Sequence, residues 1–102
     1  MHKDQIECAM RPIHPGEVLR DELAELGLSA RAFAIALDIP VNRVTQIMRQ
    51  QRGVTADTAL RLGRYFGTSP EFWMDLQSDY ELRRARQEVG PAIAQAVSPR
   101  AA

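Results

Sequence analysis

A single cysteine, Cys8, stands among 102 residues, so no disulfide can close within the chain and no all-cysteine metal site can be built. His2 and His14 are spaced neither with each other nor with Cys8 as metal ligands are. No metal and no other cofactor is expected. No apolar run approaches the ~20 residues that a membrane helix needs. The opening MHKDQIECAMRP holds acids and no apolar segment, unlike a secretory signal, and a cytoplasmic protein without a membrane partner is expected. A glycine-rich phosphate loop is missing, and no serine, cysteine or aspartate sits in a recognisable nucleophile–base arrangement. An enzyme is not expected.

Net charge is absent too, since thirteen Lys and Arg balance thirteen Asp and Glu. A chain-wide basic field for nucleic acid is thereby excluded, but the balance is not uniform. Residues 1–29 carry a net −3, residues 30–67 a net +4 and residues 68–102 a net −1. Every cation of the middle third is arginine: Arg31, Arg43, Arg49, Arg52, Arg61 and Arg64. A basic patch between acidic flanks suits a duplex on one face and another partner elsewhere.

What is present reads as helices, and the expected fold class is all-α. HPGEVLRDELAELG places Pro15 at a first helical position and Gly27 just past the end, with Val18, Leu19, Leu23 and Leu26 as its apolar stripe. SARAFAIAL starts at Ser29, a strong N-cap, with Phe33, Ala34 and Leu37 facing inward. TADTALRLGRYFG is capped by Thr55 and stopped by Gly67, and its inward positions are Ala59, Leu62, Gly63 and Phe66. SPEFWMDLQSDYELRRAR begins with Ser69 and Pro70 and turns Phe72, Trp73, Leu76 and Tyr80 inward. Residues 1–12 are expected to form a flexible arm, residues 13–88 the domain, and residues 89–102, beyond Gly90–Pro91, a disordered tail.

The remaining helix, in IPVNRVTQIMRQQRG, has two unlike faces. Val41, Val44, Ile47 and Met48 share one side of a wheel drawn at ~100° per residue, while Asn42, Gln46 and Arg49 form a stripe opposite. Only Asp38–Pro40 separates this helix from the one before it. Two short helices joined by three residues make the helix-turn-helix arrangement, whose second helix enters the major groove. Ala34 is small enough for a close crossing, and Val44 and Ile47 anchor the second helix inward. The polar stripe must then face outward.

RPIHPGEVLRDEL and VTADTALRLGRYFGTSPEFWMDLQ together resemble the HigA family of toxin–antitoxin antitoxins, over about residues 11–86. The resemblance implies a five-helix Cro/repressor-type domain with a C-terminal helical extension. It also implies a homodimer that represses its own operon and neutralises a HigB-like, RelE-type mRNA endonuclease. The pattern departs from the family at the turn, where Asp38 stands for the usual glycine and Pro40 for a serine or threonine cap. Aspartate tolerates a left-handed backbone better than most residues, and the fixed φ of proline suits a helix start.

With the helix pair and the resemblance together, the stripe takes roles on double-stranded operator DNA. Asn42 and Gln46 suit adenine and arginine suits guanine; Val41 reaches a thymine methyl, and Arg43 and Thr45 reach bases or backbone. The base readers are taken as Val41, Asn42, Arg43 and Gln46, and the phosphate contacts as Arg31, Thr45, Arg49 and Arg52. A solvated polar face is the ordinary alternative for such residues. Phe72, Leu76 and Tyr80 are chiefly core, with a surplus expected to form a dimer seam. Glu22 and Glu25, on the acidic first third, offer a surface to a basic partner. Two other functions stay open, a stand-alone repressor without a toxin and an interaction module that no longer binds DNA.

Overall fold

A computed structural model describes residues 11–101. It holds five helices: α1 Pro15–Leu26, α2 Ala30–Leu37, α3 Val41–Met48, α4 Ala56–Phe66 and α5 Pro70–Ala96. There is no strand among the described residues, and the all-α expectation is met. The expected arm at residues 1–12, with Cys8 and His2, lies outside the described residues except for Arg11 and Pro12.

Helices begin where a side chain can take an N–H that the helix leaves unpaired. Ser29, Thr55 and Ser69 do so for α2, α4 and α5, as their spelling suggests. For α1 the cap is His14, whose Nδ1 accepts from the Gly16 N–H at 2.8 Å while Glu17 reaches back to the His14 N–H at 3.2 Å. Pro40 caps α3 by its extended backbone alone, with no side-chain bond. Asp38 closes α2 at φ 58°, ψ 50°, the left-handed conformation for which a glycine is usual.

The core gathers Leu19 and Leu23 of α1, Phe33, Ala34 and Leu37 of α2, Val44 and Ile47 of α3, Ala59 and Leu62 of α4, and Trp73 of α5. Phe33 lies at its centre with no exposed surface, against Tyr65 and Phe66. The start of α1 abuts the end of α3 so closely that a Cβ on Gly16 would sit 1.9 Å from the Ile47 carbonyl oxygen. Only glycine allows that approach, which fixes the tilt of α3 against the body.

Two expectations are corrected. Leu26 and Phe72 do not point inward; they are 51% and 45% exposed, because α1 and α5 bury narrower faces than their apolar stripes suggest. The disordered tail expected from residue 89 is, as far as Ala96, a continuation of α5. Pro91 lacks an N–H, but the residue before it is Gly90, which has no Cβ to clash with the proline ring. The alanines that follow have the highest helix propensity and carry the helix onward. At 27 residues α5 spans about 40 Å, and its second half projects beyond the body with every residue but Gly90 exposed from Arg84 onward.

Candidate nucleic-acid interface

Helix α3 is held by Val44 and Ile47, each 1% exposed, and this decides what the opposite face offers. Asn42 and Arg49 are exposed, Gln46 is half-buried beside them, and Val41 at the tip is 40% exposed. The stripe read from the wheel is therefore an outward face of the molecule. Thr45 turns back along the helix, its hydroxyl donating to the Asn42 carbonyl at 3.2 Å. Arg43 does not stand free: its Nη1 lies 3.1 Å from Oδ1 of Asp57, at the start of α4.

Two side chains that the sequence marked only as a charge and a polar residue support this face. Arg61 donates through Nη1 to the carbonyls of Leu37 and Asp38 at 2.9 and 3.1 Å, and through Nε to Asp57 at 2.8 Å. It thus takes up carbonyls at the end of α2, beside the turn that launches α3. The Arg61 bond, with Arg43 adding to it, holds the Asp57 carboxyl below its ordinary range, and Asp57 in turn raises the Arg61 guanidinium. Gln77 of α5 is buried; its Oε1 accepts from the Val54 N–H at 2.8 Å and its Nε2 donates to Glu81 at 2.8 Å. Gly53 lies flat on that amide, so Gln77 pins the loop after α3, which carries Arg52. The only sequence signal was an amide four residues after Trp73, on an otherwise apolar face.

The cations flank α3. At one end Arg20, Ala30, Thr45, Met48 and Arg49 line a hollow of about 190 Å³. Arg31 is exposed one residue into α2. At the other, Arg43 and Arg52 share a hollow of about 420 Å³ with Thr55 and Gln77. Arg20, Arg31, Arg49 and Arg52 make no ion pair among the described residues, which leaves their charges available to an anion. Arg20 was missed because it sits in the acidic first third, where a charge count hides it.

The three expected seam residues differ in setting. Phe72 is exposed, and Leu76 is half-buried on the core. Tyr80 packs edge-on to His14 at 4.7 Å and accepts from Arg84 at 2.9 Å. A second apolar stripe, Leu82, Val89 and Ile93, lies exposed along α5, with Val89 and Ile93 on its projecting half. Glu22 and Glu25 are exposed on α1, and Glu22 borders a hollow of about 200 Å³ that Phe72 and Trp73 also line. Among the described residues no helix is long and apolar enough to cross a membrane.

Residues 19–73 match the helix-turn-helix family. An addiction module antidote protein of the HigA family from Coxiella burnetii is 51% identical and superposes with a TM-score of 0.86, over 89% of this chain and 100% of that one. The chain belongs to the HigA family of helix-turn-helix proteins. Another member, the Pseudomonas aeruginosa antitoxin HigA solved with the higBA promoter, is 52% identical with a TM-score of 0.85, over 87% of this chain and 98% of that one. The virulence-associated protein I of Dichelobacter nodosus is 52% identical over 80 residues, 78% of this chain and 74% of the relative. These relatives are named as an antidote protein, an antitoxin and a virulence-associated protein, none of them as an enzyme.

Proposed function

We propose that this HigA-family chain is an operator-binding antitoxin: a homodimer that represses its own operon and masks a RelE-type mRNA endonuclease in the cytoplasm. The observation that carries the DNA half is the face of α3. Two amides and an arginine are turned outward by two fully buried anchors, with arginines at both ends that make no ion pair among the described residues. Asn42 and Gln46 are read as base contacts, with Val41 and Arg43 beside them; Arg31, Thr45, Arg49 and Arg52 are read as phosphate contacts. The Pseudomonas relative solved on its promoter supports this use of the fold. The toxin half rests on family membership and on the net −3 of residues 1–29, which would steer a basic partner toward α1.

The test has two arms. Co-expression with the neighbouring reading frame, followed by pull-down and growth rescue, should recover a complex and relieve toxicity. Replacing Glu22 and Glu25 by Lys should then lower affinity for that partner while leaving operator binding intact. Tight, specific operator binding with no captured partner and no rescue would leave a stand-alone repressor in its place.

A further inference from the structure

We propose that Arg20 of α1 is a DNA-backbone contact, holding phosphates of one strand together with Arg49 across the hollow between them. The inference rests on the DNA-binding reading above and brings to it a residue from the acidic third of the chain. Gly16 lies against the Ile47 carbonyl at the end of α3, and Arg20 follows one turn later on the same side of α1. That spacing delivers Arg20 to the edge of the recognition helix. There Arg20, Ala30, Thr45, Met48 and Arg49 line the hollow of about 190 Å³, with no carboxylate among them. The hollow beside Arg43 and Arg52 differs, since Asp57 and Glu81 also line it. Arg20 is exposed and makes no ion pair among the described residues, so no ion pair has to break before it takes an anion. The end of α3 does not call on it either. The carbonyls of Thr45, Gln46 and Ile47 already accept from the N–H groups of Arg49, Gln51 and Gln50.

An α-helix about 10–12 Å across fills a major groove about 12 Å wide, so side chains at its flanks meet the two phosphate walls. Let buried Val44 mark zero on a wheel of ~100° per residue. Thr45, Met48 and Arg49 then fall near +100, +40 and +140 degrees, and Arg43 falls near −100. The Arg20 hollow therefore lies along one flank of α3, and Arg43 stands on the other. Two guanidiniums that face one hollow without a carboxylate repel each other, and a run of phosphates passing there relieves that repulsion. The strand on this flank is thus held from two helices, by Arg49 of α3 and by Arg20 of α1.

The measurement is salt-titrated binding of the full chain to a duplex from the DNA directly upstream of the reading frame and to a scrambled duplex of equal composition. Arg20→Ala should weaken both by roughly three- to tenfold near 0.1 M salt and reduce each salt slope by about one, as one counterion fewer is released. Arg20→Lys keeps the charge and should restore most of the slope. Arg64→Ala is the control. It removes the same charge from an exposed position on α4 that lines a different hollow, and it should move the slope far less. Arg20→Ala should melt with the unmodified chain, because an exposed side chain without an ion pair adds little to the fold. Unchanged binding by Arg20→Ala overturns the inference, and so does a slope that lysine fails to restore. An equal loss in Arg64→Ala, or a loss that comes with a lower melting temperature, overturns it as well. An unmodified chain that binds neither duplex overturns instead the DNA reading on which the inference rests.

Discussion

At the scale of single residues, the outward side chains of α3 divide by what they offer. An amide fits an adenine edge, so Asn42→Ala or Gln46→Ala should cost ~1–3 kcal/mol on the operator and much less on scrambled DNA. Arg49 and Arg52 are exposed and make no ion pair among the described residues; replacing either should weaken both duplexes alike and reduce the salt slope by about one. Equal losses on the two duplexes for Gln46→Ala would show that the stripe does not read bases. His14 makes a separate, pH-linked prediction. Burial lowers its pKa from the ordinary 6.5, against the opposing pull of Glu17, and its Nδ1 is the acceptor that caps α1 at Gly16. Protonation therefore favours the unfolded chain, and stability present above pH 6.5 should fall as pH drops through that value. His14→Asn keeps an acceptor without the titration; melting temperatures between pH 7.5 and 5 should flatten in that variant if His14 is responsible.

At the scale of helices, most boundaries were legible because they are written in local chemistry. Ser29, Thr55 and Ser69 start helices, and Gly27 and Gly67 end them in the left-handed conformation. The turn between α2 and α3 was legible as well, with Asp38 adopting the backbone that its glycine-like position required. What failed did so where a local rule met a non-local or compensating one. Pro91 reads as a stop, but Gly90 before it removes the clash and the alanines after it resume the helix. Phe72 reads as core, yet one face of α5 holds only Trp73 and Gln77 fully buried. Nothing in the spelling of Gln77 or Arg61 announces that each binds backbone more than 20 residues away. Gly16 tests how firmly α3 depends on such remote contacts. Gly16→Ala forces a Cβ onto the Ile47 carbonyl, and α1 and α3 must part. Denaturant unfolding should register a loss of about 3 kcal/mol, at the upper end of overpacking costs, and operator affinity should fall with it. A neutral Gly16→Ala would mean that α1 does not set the seat of α3.

At the scale of the molecule, an exposed Phe72 and the stripe of Leu82, Val89 and Ile93 both lie on α5, which makes that helix the expected seam between two copies. Light scattering at tens of micromolar should give twice the 11.4 kDa of one chain, and Phe72→Glu should shift the mass toward a single chain while the fold melts as before. Tyr80 is the poorer probe, because its ring is committed to His14. A monomer mass for the unmodified protein would remove α5 as a seam. The projecting half of α5 bears on how such an experiment must be read. One chain measures 53 × 30 × 23 Å with a radius of gyration of 16.6 Å, whereas a compact chain of 100 residues has about 13 Å. Such a rod-like outline raises hydrodynamic drag, so a single copy should emerge early from a sizing column, where a rounder and heavier particle is expected. Elution volume alone would mimic a pair, and only a shape-independent mass can separate one copy from two.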